Sequence, residues 1–379
     1  MKLRPGKLLL VLLGIAASVS IASARDELSG FLQVTGPCNL EFPRDHAPHP
    51  GFRTEWWYWT GNLRSETGRH FGYQLTIFRY QLTPFGGAAE WPDPPSAWRT
   101  RQLYFAHAAV SDISAKRHLQ AEQAGRSGPL GIAGWVQWGP DVTLYHRGWS
   151  AVIFPDLQKL FARGDDFSLE LELKPLKPPV SHGVNGYSRK GSSPERASCY
   201  YSYSRLETGG TVTVAGKPLP VRGLSWMDHE FSTAPLEPGT VGWDWFSIQL
   251  ADKSEFMIYL LRKPDGGLNP ASSGTYIDSL GFPRHLERSY FEVSALDSWK
   301  SKASGAVYPS SWQIKIPLLG IDLVVTSNLP DQEMRTPETT GVTYWEGSVS
   351  AKGTKGGSPV EGQGYVELTG YAGPFAALK

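Results

Sequence analysis

Cysteine is nearly absent, with two residues, Cys38 and Cys199, in 379. An oxidising compartment would permit one disulfide between them, and two free thiols are the other reading. Net charge is almost nil at +1, which excludes the broadly basic surface that nucleic acid or an anionic membrane would demand. Methionine is scarce, at 4 residues. After residue 24 no run is apolar and long enough to span a bilayer, which takes roughly 20 residues. Helix-period patterns are also missing, and only 157–163 could make two short helical turns. No Gly-x-Ser-x-Gly elbow is present, so a standard α/β-hydrolase is excluded. No phosphate-cradling glycine loop is present either, and the expected cofactor set is none.

Aromatic residues and chain breakers are plentiful: 14 Trp, 16 Tyr and 16 Phe beside 41 Gly and 29 Pro. Aromatic and β-branched side chains suit pleated surfaces, while Gly and Pro punctuate turns, so the chain reads as all-β. The first 24 residues read as a signal peptide. Lys2, Arg4 and Lys7 form a positive n-region, 8–21 an apolar h-region, and Ala22-Ser23-Ala24 a small-x-small cleavage site. A periplasmic or secreted location follows, with a retained anchor as the alternative. No Cys stands at the cleavage site to take a lipid.

Strands are expected at 55–63 and 71–80, joined as a hairpin, and at 101–112, where Tyr104, Ala106 and Ala108 share one face and Phe105, His107 and Ala109 the other. More follow at 134–138, 149–154, 167–173, 197–206, 211–214 and 221–231. The pattern restarts at Gly242 with a second hairpin, 243–250 and 255–262, then 289–296, 313–316, 322–326, 342–350 and 364–371. Segments 84–98 and 175–195, rich in Pro and Gly, read as long surface loops. Pro220-Val221-Arg222-Gly223-Leu224-Ser225-Trp226-Met227-Asp228 parallels Pro359-Val360-Glu361-Gly362-Gln363-Gly364-Tyr365-Val366-Glu367, and Trp57-Tyr58-Trp59-Thr60-Gly61 echoes Tyr344-Trp345-Glu346-Gly347. Such repeats suit a duplicated barrel domain.

Three segments, Thr54-Glu55-Trp56-Trp57-Tyr58-Trp59-Thr60-Gly61-Asn62-Leu63, Trp226-Met227-Asp228-His229-Glu230-Phe231-Ser232 and Gly364-Tyr365-Val366-Glu367-Leu368-Thr369-Gly370-Tyr371, resemble the hydroxyneurosporene synthase (carotenoid 1,2-hydratase) family and its AttH-like relatives. The resemblance implies two lipocalin-like (calycin) β-barrels in tandem, 40–235 and 236–379, of a family often named as secreted hydrolases. Where carotenoid hydratases follow Asp-His with Asn-Trp, this chain has Glu230-Phe231, so it looks more like the AttH-like branch.

Asp228 and His229 are the candidate catalytic residues, though alternation puts them on opposite faces of one strand. A carboxyl in an apolar barrel has a raised pKa and can protonate an alkene, and aromatic faces stabilise the resulting cation. Trp56, Trp57, Trp59, Trp226, Trp243 and Trp245 could line such a site, with Glu55, Tyr73, His107 and Glu230 as further ligand-binding candidates. The alternative is that the Trp residues fill the barrel, that His107 is a satisfied core histidine, and that Glu55 with Arg79 is a structural pair. His46-x-x-His49 lacks a helix and a third ligand, so the expected metal set is none. The functional readings are a hydratase or hydrolase acting on a hydrophobic small molecule or lipid inside a barrel, or a non-catalytic periplasmic carrier working beside an ABC-type transporter. Neither involves nucleic acid. N-terminal sequencing of the exported protein is expected to read Arg25 first; a start at Met1 on a membrane-bound protein would refute the signal-peptide reading.

Overall fold

The computed structural model describes residues 28–84, 96, 98–128, 130–234 and 236–373; the signal segment and most of the 84–98 loop lie outside them. Alternating side chains and Gly-rich turns give an antiparallel architecture. Barrel one contains β1 (Thr54–Ser65), β2 (His70–Gln81), β3 (Gln102–Asp112), β4 (Arg117–Arg126), β5 (Ala133–Trp138), β6 (Asp141–His146), β7 (Trp149–Ile153), β8 (Gln158–Arg163), β9 (Phe167–Pro175), β10 (Val180–Ser181), β11 (Tyr187–Arg189), β12 (Ala197–Val214) and β13 (Lys217–Ser232). Its strand order is β4-β3-β2-β1-β13-β12-β9-β8-β7-β6-β5, a nearly closed barrel, with β10 and β11 pairing β12.

The second sheet is a half-barrel. It holds β14 (Gly242–Leu250), β15 (Glu255–Arg262), β16 (Ser273–Ile277), β17 (Pro283–Glu287), β18 (Glu292–Lys300), β19 (Val307–Ile316), β20 (Ile321–Ser327), β21 (Glu333–Arg335), β22 (Thr343–Lys355) and β23 (Ser358–Leu368). Their order is β17-β16-β15-β14-β23-β22-β20-β19-β18, with β21 on β22. The repeat reads correctly here: first and last strands pair in both sheets, β1 with β13 and β14 with β23. The second echo does not, because it joins β1 to β22, whereas the topological counterpart of β1 is β14.

Two further expectations are corrected. Residues 157–163 are not helical turns. Gln158, Leu160 and Ala162 alternate inward along β8, and the window was too short for its period to show. The 175–195 segment is not a free surface loop. It crosses β12 as a strap in which Lys177, His182 and Ser188 are buried. The cysteine question resolves to a Cys38–Cys199 disulfide, which ties the N-terminal segment to β12 across 161 residues.

Each barrel has its own apolar core, with Trp57, Trp59, Tyr73, Leu75 and Tyr201 in the first and Phe246, Ile258, Trp312 and Val366 in the second. A third cluster, including Tyr58, Tyr200, Trp226, Trp245, Met257, Tyr259 and Tyr365, lies where the outer faces of the two barrels meet. Polar bonds lock that junction. Asn62 donates to Gly364 O at 2.9 Å, and Gln249 donates to Ser204 O at 2.7 Å and Ser225 O at 3.0 Å. Glu255 of barrel two pairs with Lys177 at 2.7 Å and with Arg205 of barrel one. Gly72 is required there, since a Cβ would stand 2.7 Å from Ser348 Cβ. Removing one partner of a buried ion pair strands the other. Lys177→Ala is expected to cost about 3 kcal/mol, read as a lower urea midpoint at constant m-value. An unshifted midpoint would mean that Arg205 alone satisfies Glu255.

Candidate active site

Strand alternation decides what faces the junction. Trp56 and Tyr58 (β1), Phe78 (β2), His107 (β3), Tyr200 (β12), Asp228 and Glu230 (β13) point away from the core of barrel one. Trp243 and Trp245 (β14), Tyr259 and Leu261 (β15), Tyr344 and Glu346 (β22) and Glu367 (β23) point away from that of barrel two. Together they line a mostly apolar cavity of about 300 Å³ that opens to solvent past half-buried Trp56, Phe78 and Trp243, the size of a small ligand site. The cavity therefore lies between the barrels. The expectation of a ligand held inside one barrel is corrected, because the barrel interiors are filled by their own side chains.

Asp228 is buried in this cavity and accepts three hydrogen bonds: from Tyr200 Oη at 2.7 Å, from Trp226 Nε1 at 2.6 Å and from Ser202 Oγ. All three donors are neutral. Burial outweighs them and pushes the carboxyl up to about 7, with Glu230 adding repulsion. Trp226 is donor-only, so it holds Oδ1 as an acceptor and leaves Oδ2 to carry the acid proton. The supports are themselves held. Trp245 Nε1 donates to Tyr200 Oη at 3.0 Å, and His182 bonds Ser202 Oγ at 2.6 Å and Thr275 Oγ1 at 2.9 Å.

Besides Glu55, three more carboxyls line the cavity. Burial raises Glu367 to about 7 against a hydrogen bond from Trp243, with Asp228 and Glu230 adding to the rise. Burial and the neighbouring Glu367 raise Glu346 well above the carboxylate range. The Tyr58 and Tyr344 hydroxyls approach Glu346, yet Tyr58 Oη and Glu346 Oε1 are buried with no properly formed hydrogen bond among the described residues. Glu230 differs, pairing with Lys190 at 3.1 Å. Burial works against the Lys190 charge, but Glu230 outweighs it, and the ammonium sits 4.0 Å above the Tyr259 ring.

The sequence candidates divide accordingly. Asp228, Glu230, His107, Trp243 and Trp245 line the cavity. Trp226 stands behind Asp228. Trp57, Trp59 and Tyr73 do not bind there. They are fully buried inside barrel one, bonded to His46 O, Gln158 and Ser225, because odd positions of β1 and β2 face that core. His229 also faces inward, away from Asp228. It bonds Glu55 at 2.7 Å and Tyr201 Oη at 3.1 Å and stacks on Trp57. Glu55 borders the cavity, but Arg79 at 2.8 Å, His49 at 2.8 Å and His229 occupy its oxygens. Burial would raise Glu55, and these partners reverse that, Arg79 foremost, to hold it well below the usual range.

The metal reading is corrected in its premise. His49, Glu55 and His229 place three possible ligand atoms within 4.8 Å, so a third ligand exists, although His46 is turned to Tyr201 and Tyr203. Every one of these atoms is already hydrogen-bonded, and Arg79 shares Glu55, so the group fits a closed polar network better than a dication site.

Sequence reasoning missed Tyr58, Lys190, Tyr200, Ser202, His182, Tyr344 and Glu346. Glu367 was within reach, since the repeat aligns it with Asp228. Asp228 has an ordinary pKa of 3.8 and rises to about 7 on folding. Its protonation therefore favours the fold fully below pH 3.8, and that contribution is lost as pH climbs through about 7. Buried histidines such as His46, lowered to about 4, act in the opposite sense, so the difference between proteins is the quantity to read. Asp228→Asn is expected to gain stability relative to the wild type between pH 4 and 7, and a pH-independent difference in denaturant midpoints would contradict the raised carboxyl.

Residues 33–371 match the AttH-like family. A solved AttH structure from Nitrosomonas europaea is 32% identical, covers 90% of this chain and 100% of its own, and superposes with a TM-score of 0.78. Kievitone hydratase of Fusarium solani subsp. phaseoli is 24% identical over 223 residues, 56% of this chain and 59% of that protein, so the match spans less than two thirds of that relative. The structure of kievitone hydratase from Nectria haematococca is 16% identical, covers 92% of this chain and 97% of its own, and shares the fold with a TM-score of 0.64. Two β-barrel sheets in tandem, the paired first and last strands and the match along nearly the whole described chain carry one conclusion: the protein belongs to the AttH-like family.

Proposed function

We propose that the protein is a hydro-lyase that adds water to a carbon–carbon double bond of an apolar small molecule held between the barrels. The observation that carries this reading is Asp228, a carboxyl raised to about 7 by burial, held by three neutral donors in an aromatic cavity. Such a group keeps a large protonated fraction near neutrality and is strong enough as an acid to serve as a general acid. The similarity to kievitone hydratase supports the same chemistry.

In this scheme the Asp228 Oδ2–H bond breaks and a C–H bond forms at one alkene carbon. The cation left on the other carbon faces the Trp56, Tyr58, Trp243 and Trp245 rings, which attract positive charge. Water bonds to that carbon and gives its proton to the Asp228 carboxylate, which restores the acid. The hydrolase alternative has a Ser202–His182 pair to draw on, but Ser202 is not part of the cavity wall and its proton is directed at Asp228. The carrier alternative leaves the buried carboxyls unexplained, since holding a hydrocarbon needs none and burying them is costly. The Cys38–Cys199 bond supports a location outside the cytoplasm, where disulfides persist.

Purified protein incubated with kievitone, or with an acyclic carotenoid, is expected to yield a product heavier by one water. Asp228→Asn should lower that rate on the order of 100- to 10,000-fold with an unchanged circular dichroism spectrum. His229→Ala should affect turnover less, because His229 faces the other side of β13. Full turnover by Asp228→Asn would end this assignment.

A further inference from the structure

His107 lines the cavity yet has no part in the proposed chemistry, and the bonds around it run beyond the cavity wall. Its Nδ1 lies 3.0 Å from Tyr344 Oη, and its Nε2 lies 2.8 Å from Thr339 Oγ1. Thr339 Oγ1 donates to Glu122 Oε2 at 2.5 Å. Glu122 is partly exposed beside a surface cleft that Arg335 also lines, and its other oxygen accepts from Glu338 N at 3.3 Å. At the inner end the Tyr344 hydroxyl approaches the Glu346 carboxyl without a formed hydrogen bond among the described residues, so the first transfer needs the two to close up, and Glu346 faces Glu367 and Tyr58 across the cavity.

The directions of these bonds follow from what each group can donate. The Glu122 carboxylate only accepts, so the single Thr339 hydroxyl proton points outward. Thr339 must then accept from His107 Nε2–H. Neutral His107 therefore carries no proton on Nδ1, and Tyr344 Oη–H donates to it. Tyr344 Oη is left with a free lone pair for Glu346, whose acid form is the favoured one. Burial keeps His107 neutral, lowering it to about 3, so this tautomer holds through the neutral range. Every donor along the row thus points from cavity to surface. The register helps assemble it, since His107 and Glu122 are direct cross-strand neighbours on β3 and β4, while Thr339 and Tyr344 come from the second half of the chain.

We propose that Glu346, Tyr344, His107, Thr339 and Glu122 form a proton-transfer path between the carboxyls of the interbarrel cavity and solvent. One passage breaks the Glu346 O–H bond and moves a proton to Tyr344 as the Tyr344 proton passes to His107 Nδ1. The Nε2 proton goes to Thr339, and the Thr339 proton goes to Glu122, which releases it to water. The net change is one proton from Glu346 to solvent, and the reverse passage resets the row. The path lets buried acids equilibrate with solvent while the cavity is occupied. It does not depend on the hydratase reading.

The test uses infrared spectroscopy of the intact protein on transfer from water to deuterium oxide at neutral pH, without substrate. The carbonyl band of the buried Glu346 acid, identified by its loss in Glu346→Gln, is expected to shift rapidly in the wild type. Thr339→Val and His107→Phe should slow that shift about tenfold or more, because exchange must then pass the apolar mouth of the cavity or wait for local opening of the junction. Thr339→Ser should restore the fast rate, a recovery that a packing role alone would not give. If His107→Phe fails to fold, the two Thr339 variants decide. Unchanged exchange in Thr339→Val, or no band lost in Glu346→Gln, overturns the path. Absent turnover with slowed exchange would remove the hydratase reading and leave the path standing.

Discussion

The structure depends on one packing constraint: the two sheets meet outer face to outer face, so their central strands are covered on both sides. β1 shows the consequence. Trp57, Trp59 and Leu63 fill barrel one, while Tyr58, Thr60 and Asn62 between them are also buried, against barrel two. A strand buried on both faces needs large side chains at consecutive positions, and this accounts for the unbroken Trp56-Trp57-Tyr58-Trp59 run. Where the opposing rings interlock, the junction is solid. Where they stand apart, the cavity remains.

The same burial sorts the acids. Glu55 and Asp228 lie on adjacent strands, yet one is held ionised and the other is pushed toward its acid form. Glu55 faces a guanidinium and two imidazoles, which repay its desolvation. Asp228 meets only hydroxyls and an indole, so desolvation prevails. Pairs of acids driven apart in this way mark where proton chemistry is possible. The pseudo-equivalence of the two barrels puts Glu367, the repeat partner of Asp228, into the same cavity. Asp228 and Glu230 of barrel one then add to the rise of Glu367, an effect that barrel two could not produce alone.

Much of this was legible locally. Alternation along 101–112 correctly separated Tyr104, Ala106 and Ala108 from Phe105 and His107, and alternation along 221–231 separated Asp228 from His229. Period-two patterning survives in any sheet with two unlike faces. It failed at 157–163, where too few residues carried the signal, and in the 175–195 strap, whose Pro and Gly content suggested exposure although Lys177 and His182 anchor it between the barrels. The aromatic residues of β1 were legible as important but not as to side. Trp57 and Trp59 were taken for ligand contacts because nothing local tells the inside of a barrel from a buried outside.

By itself, then, the sequence determined the all-β class, the strands with clear alternation, the repeat and the family, because these rest on neighbour-to-neighbour patterns and short motifs; strands such as β4, β6, β16 and β17 carried too little apolar patterning to be read. Only the tertiary structure decided the rest: that the cavity lies between the barrels, that Cys38 reaches Cys199, that Glu346 and Glu367 face Asp228, and that His107 joins Tyr344 to Thr339. Each of these is a contact between residues far apart in the chain. Its energy depends on burial and on donor geometry, which exist only once both barrels have folded and docked.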